Sequence, residues 1–154
     1  MWSNAALEGV SLKLDAHIPE GTGPFPIVII KHGGGNKDDK QSYVTPLFSP
    51  LSTASFTWFT IDYRPVKTGY AATIADVMKA IYWIKSNAAK CKGDKQWIAL
   101  VGESSGGILT LVTAGRLLPE VQVQAIVAFY TPADIRYVLK DGNMSLLARI
   151  YWGV

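Results

Sequence analysis

Gly102-Glu103-Ser104-Ser105-Gly106 sets a hydroxyl between two glycines in the pattern G-x-S-x-G. The preceding residues, Trp97-Ile98-Ala99-Leu100-Val101, read as a strand, and an apolar helical stretch follows. In that context a serine sits on a sharp, strained turn that presents its oxygen for nucleophilic attack. Gly102 and Gly106 stand where a Cβ would clash in such a turn. The amide of Ser105 then falls at a helix N-terminus, where backbone N–H groups and the helix dipole favour developing negative charge. Alone the pattern is weak: residue frequencies give it on the order of one chance in twenty in a chain of this length. A plain strand-to-helix turn would read the same way.

A second motif, His32-Gly33-Gly34-Gly35, follows an apolar run, Ile27-Val28-Ile29-Ile30, at what should be the carboxyl end of a buried strand. Successive amides in a glycine loop can converge on one oxygen, as stabilising a tetrahedral acyl-transfer intermediate requires. A flexible turn or a phosphate-binding loop are the other readings. The second lacks support, because neither G-x-x-x-x-G-K-[ST] nor G-x-G-x-x-G is present.

Taken together, HGGG, Asp62-Tyr63-Arg64 and Gly102-Glu103-Ser104-Ser105-Gly106-Gly107, in this order and spacing, resemble the hormone-sensitive-lipase-like and carboxylesterase branch of the α/β-hydrolases. The resemblance covers nearly the whole chain, including Leu14-Asp15-Ala16-His17-Ile18-Pro19 and Phe129-Tyr130-Thr131-Pro132-Ala133-Asp134. It implies Ser104 as nucleophile and the amides of Gly34, Gly35 and Ser105 as oxyanion hole. Gly33, Gly102, Glu103 and Gly106 then support the two loops. His32 would hold the glycine loop and not act as base, and Asp62 and Arg64 would form a polar tie beneath the site. Asn36 replaces the aromatic residue frequent after HGGG, and Ser105 the frequent alanine. Both substitutions are expected to alter the acyl pocket.

Serine needs a positioned base, and in that family the base is a histidine held by a carboxylate, in the order Ser, Asp or Glu, His. No histidine follows Ser104 in these 154 residues. His17 is expected on a wet strand face, and His32 belongs to the glycine loop. Three carboxylates follow the serine, Glu120, Asp134 and Asp141. Asp134 lies just past a strand, where a structural role is expected, since the family's acid comes from a later strand. The expectation is a chain that stops before the acid and base.

These loops need a sheet to hold them. Residues 10–18 alternate apolar and polar, as in a strand with one wet face, and 19–26 make a Gly/Pro turn. The run at 27–30 is β-branched and continuous, the mark of a strand buried on both faces of a parallel sheet. Further strands are read at 57–62, 97–102 and 123–130, with helices between in the order β-α-β-α-β. One helix is read at 73–88, with Thr73 and Asp76 as a capping box. Another, at 108–118, is apolar almost all round and is expected in the middle of the molecule. The fold class is α/β: a mostly parallel sheet with helices on both faces, a partial α/β-hydrolase fold in three layers, as one domain over residues 1–154. The strand at 123–130 would form an apolar edge, a template for pairing, so a homo-oligomer or a complementing chain is expected.

Composition sets the remaining bounds. With 49% apolar and 18% charged residues the chain is globular and not disordered. Its net charge of +3 and pI near 9.0 arise from bases interspersed with acids, as in Lys37-Asp38-Asp39-Lys40, a solvated surface and not a nucleic-acid site. The single cysteine, Cys91, precludes an intramolecular disulfide and is expected as a core residue at a helix end. No apolar run reaches membrane-spanning length and the start, MWSNAALEGV, lacks signal-peptide character, so a cytoplasmic protein is expected. Two distant histidines and one cysteine suggest no metal, and ester hydrolysis needs no cofactor. Two functions stand: an esterase working through an acyl-enzyme on Ser104, or a catalytically incomplete hydrolase fold that binds ligand. Related members act on short acyl esters, acetylated or feruloylated sugars, formyl-kynurenine or peptides. Nucleotide binding would rest on the glycines alone.

Overall fold

The computed structural model describes residues 2–3, 12–34, 44–65, 70–117, 119 and 122–131. Among these, one sheet is built from β1 (Trp2–Ser3), β2 (Lys13–His17), β3 (Phe25–Lys31), β4 (Thr57–Ile61), β5 (Gly93–Glu103) and β6 (Ala125–Phe129), in the order β1-β2-β4-β3-β5-β6. β4, β3, β5 and β6 run parallel, and β1 and β2 are antiparallel. Three α-helices are described: α1 (Phe48–Thr53), α2 (Tyr70–Asn87) and α3 (Ser105–Ala114).

Strand alternation sorts the core into two layers. Ile27 and Ile29 of β3 pack with Ile74, Val77, Ile81 and Ile84 of α2 and Leu109 of α3. Val28 and Ile30 face the other way, toward Trp58, Val101 and the α1 residues Phe48 and Leu51. Helices therefore lie on both faces, and β3 is buried on both, as its unbroken β-branched run requires. α1, with Pro50 inside it and Pro46 just before, was not read from sequence.

Some expectations change. α2 begins at Tyr70, so Thr73 and Asp76 are no capping box; both lie inside the helix and bind Arg64. α3 starts at Ser105, immediately after the serine, and is not apolar all round. Its buried positions are Ser105, Gly106, Gly107, Leu109, Thr110 and Thr113, while Leu111 is 44% exposed. Small and polar residues let this helix lie close to β5. His17 is not on a wet face: it is half-buried, its ring stacked 5.4 Å from its cross-strand partner Trp58, which stacks in turn on Phe48. The alternation fails there because an aromatic side chain covers the second face. Cys91 is buried at the end of a 3₁₀ turn (Ala88–Cys91), as expected, and burial raises its thiol pKa although Lys90 lowers it.

Candidate active site

Ser104 joins β5 to α3 with φ 51° and ψ −117°, a conformation that costs a side-chain-bearing residue about 1–3 kcal/mol. The surroundings impose it. Its N–H donates to the Phe129 carbonyl at 3.0 Å, and its own carbonyl accepts from Gly107 and Ile108 at 3.0 and 3.3 Å, starting the helix. The Thr131 hydroxyl lies 3.4 Å from that carbonyl and 3.2 Å from the Phe129 carbonyl. A Cβ on Gly102 would fall 2.3 Å from Gly106 O and Thr110 Oγ1, and one on Gly106 would fall 2.4 Å from the carbonyls of Lys31 and His32. Both glycines are therefore required by contact, as the motif implied.

The glycine loop meets this turn directly. A Cβ on Gly33 would come within 3.1 Å of Ser104 Cβ and 3.0 Å of Glu103 O. Gly34 adopts φ 92°, in the region that favours glycine. His32 is 1% exposed, and its ring stacks on Tyr63 at 4.6 Å. Its Nδ1 lies 2.8 Å from the Gly33 carbonyl; a carbonyl only accepts, so Nδ1 carries the proton. That bond ties the imidazole to the glycine loop. Tyr63 donates to the His32 carbonyl. Burial raises the Tyr63 pKa, Ser105 lowers it, and the Asp62 charge raises it further.

Among the other sequence candidates, Arg64 pairs with Asp76 of α2. Its Nε and Nη2 donate to Asp76 at 2.8 and 2.9 Å, and its backbone N–H at 3.1 Å. The backbone N–H of Asp62 donates to the Lys13 carbonyl, across the sheet. Glu103 is buried. Ser105 is buried, 5% exposed. Gly35, Asn36, Glu120, Asp134 and Asp141 lie outside the described residues.

His17 is remote from the serine. The registers put His17, Trp58, Val28 and Ala99 in one row, which lies three strands across and five residues back from Ser104, roughly 20 Å away. Among the described residues no three His, Cys, Asp or Glu side chains converge as metal ligands would.

Two residues were not singled out from sequence. Tyr63 sits between the two charged residues of its motif, and its spacing carries no signal of its own. Lys31 ends β3 fully buried, its Nζ 3.2 Å from Thr110 Oγ1, which in turn donates to Gly106 O at 2.8 Å. Burial lowers its pKa from 10.5 to about 7. The available signal was position: Ile27, Ile29 and Lys31 share the helix-covered face.

The BD-FAE family model matches residues 14–147, a span containing both motifs. The probable carboxylic ester hydrolase LipM of Mycobacterium tuberculosis is 31% identical over 73% of this chain and 29% of its own length. The non-reducing polyketide synthase ausA of Aspergillus calidoustus is 31% identical over 82% of this chain but only 6% of its own. Among solved structures, the propionate-bound thermophilic esterase Est2 of Thermogutta terrifontis superposes with a TM-score of 0.73 at 23% identity, covering 94% of this chain and 59% of that one. The chain thus spans well under two thirds of the length of these relatives. The sheet order, the serine turn and the matched family model agree: the chain belongs to the BD-FAE family and has an α/β-hydrolase fold.

Proposed function

We propose that this chain supplies the nucleophile and oxyanion side of a serine hydrolase that cleaves carboxylic esters, short acyl or carbohydrate-linked, through an acyl-enzyme on Ser104. The observation carrying the proposal is the strained Ser104 backbone packed against Gly33 of the glycine loop. The relatives named as ester hydrolases support it. Gly34, Gly35 and Ser105 donate to the oxyanion, and His32, Gly33, Gly102, Glu103, Gly106 and Arg64 hold the frame. The base and acid come from polypeptide outside the described residues, since the His32 imidazole is tied to the glycine loop and His17 is remote. No helix among the described residues is long and apolar enough to cross a membrane. A cytoplasmic location belongs to the same proposal.

A partner follows from the edge of the sheet. β6 ends the order with one backbone edge open among the described residues, and Ile126, Val127 and Phe129 are 45, 40 and 39% exposed. Beside it a groove of about 340 Å³ is lined by Leu51, Phe56, Trp97 and Val127. A complementing polypeptide or a second copy pairs there.

Exposure to a fluorophosphonate followed by intact-mass analysis tests the reaction without presuming a substrate. One adduct per chain, absent in Ser104→Ala, is expected when the base is assembled. An unlabelled protein, with or without its partner, would remove the esterase reading and leave a ligand-binding hydrolase fold.

A further inference from the structure

Lys31 is out of place among the residues that share its face of β3. Ile27 and Ile29 pack under α2 and α3, and at the end of the same row an amine is fully buried, where an apolar side chain would cost far less. Its Nζ lies 3.2 Å from Thr110 Oγ1, and Thr110 Oγ1 lies 2.8 Å from the Gly106 carbonyl. A carbonyl only accepts, so the single hydroxyl proton goes to Gly106 and Lys31 must donate to the threonine. A threonine bonding back to the carbonyl four residues earlier is ordinary in a helix. Here a buried donor from another element, 79 positions earlier in the chain, fixes that hydroxyl.

The row of bonds runs on to the serine turn. The Gly106–Gly107 peptide carries the accepting carbonyl on one side and, on the other, an N–H that donates to Ser104 O at 3.0 Å. The Ser104–Ser105 peptide repeats the arrangement. Its carbonyl accepts from Gly107, and its N–H, the Ser105 amide, points the opposite way, out of the helix start. Donation at one end of such a row strengthens each later donor where water is excluded, and Lys31, Thr110, Gly106 and Ser105 are all buried. Gly102 is the cross-strand partner of Lys31, and a Cβ there would fall 2.3 Å from both Thr110 Oγ1 and Gly106 O. The first glycine of the turn thus leaves the space that these bonds occupy.

We infer that Lys31 is a positioning residue for ester cleavage: through Thr110 and the first turn of α3 it orients and polarises the Ser105 amide. The inference rests on the proposed function, in which that amide is an oxyanion donor. A methionine in place of Lys31 would favour the fold and weaken the donor, so stability and reactivity should move in opposite directions.

The test uses the full chain with ¹⁵N-labelled serine at neutral pH. It compares Lys31→Met, Thr110→Val, Thr110→Ser and the double variant Lys31→Met/Thr110→Val with the unsubstituted protein. Lys31→Met should raise the urea midpoint yet move the Ser105 amide resonance upfield, as a less polarised N–H does. It should also lower the maximal fluorophosphonate labelling rate about fivefold, well below the roughly 10²–10³ for deleting an oxyanion donor outright, with the concentration at half-maximal rate unchanged. Thr110→Val should give the same shift and rate loss, and Thr110→Ser, which restores the hydroxyl, should recover both. The double variant should add nothing beyond the larger single effect. A Ser105 resonance or a labelling rate that stays in place in Lys31→Met, or losses that simply multiply in the double variant, would overturn the inference. So would a rate loss in step with a lowered urea midpoint, the mark of a purely structural role. If the unsubstituted chain does not label, the proposed reaction fails, while the Ser105 resonance across the variants still decides whether Lys31 controls that amide. Should Lys31→Met fail to fold, Thr110→Val against Thr110→Ser decides the matter.

Discussion

β3 and β6 both lie parallel to β5, and both are short apolar runs, yet they occupy opposite environments. Ile27, Val28, Ile29 and Ile30 of β3 are no more than 3% exposed, whereas Ile126, Val127 and Phe129 of β6 are 39–45% exposed. Residue type does not account for the difference. β3 has a strand on each side and a helix layer on each face, while among the described residues β6 has only β5 beside it and α3 over one face. Both strands end at the candidate site: β3 runs into His32 and the glycine loop, and β6 offers the Phe129 carbonyl that holds the Ser104 N–H. The glycine loop therefore hangs from a strand enclosed on both faces, and the Ser104 turn is steadied by an open one.

The largest expected effect comes where the enclosed strand meets the helix. Gly106→Ala would drive a Cβ into the Lys31 and His32 carbonyls, backbone atoms that cannot step aside without moving the end of β3. A loss of about 4 kcal/mol or more is expected, read as a collapsed urea midpoint together with loss of Ser104 labelling. Near-normal stability would mean that α3 is not seated on β3 as described.

Next in size is the direct contrast between the strands. Ile29→Ala empties a fully buried site and should cost about 2–5 kcal/mol. Val127→Ala, on a strand open to solvent, should cost less than about 1 kcal/mol. Equal losses in urea unfolding would show that β6 is covered in solution by something already bound, and would erase the contrast.

Much of this frame was legible in sequence because it is local. The strand at 27–30, the serine turn and the glycine loop all follow from runs of a few residues whose periodicity or turn chemistry is self-contained. What escaped depends on what lies across the fold. Lys31 meets Thr110 79 residues away, and Tyr63 meets His32 31 residues away. His17 keeps a strand's alternation and still loses its wet face to Trp58. Thr73 and Asp76 have capping-box spacing, but Arg64 takes both inside the helix. Asp76 pairs with Arg64 because α2 brings it to the end of β4, a pairing that no spacing rule within Asp62-Tyr63-Arg64 contains.

Lys31 is the exception within the enclosed strand, and it gives a pH-dependent test. Its pKa falls from 10.5 to about 7 on folding, so between those values the unfolded chain binds more protons and stability rises with pH. Below pH 7 both states are protonated and the whole cost of burying the charge is present, on the order of 3–5 kcal/mol. Lys31→Met should therefore stabilise the protein by a few kcal/mol at pH 6, with the advantage shrinking toward pH 10. Urea midpoints of both proteins at the two pH values check this. An advantage independent of pH would mean that the ammonium finds a charged or hydrated partner.

The smallest expected change in folding energy is at β6, where the readout is association. Val127 lies beside an apolar groove and next to an open strand edge, and a lysine on such an edge disfavours pairing while its ammonium reaches water. Val127→Lys should leave the urea midpoint within about 0.5 kcal/mol and shift light scattering at micromolar concentration toward the mass of one chain. If the unsubstituted protein is already monodisperse and monomeric, β6 does not pair with a second copy. The expectation of a partner on that edge is then wrong, and the Phe129 carbonyl holds the Ser104 N–H without one.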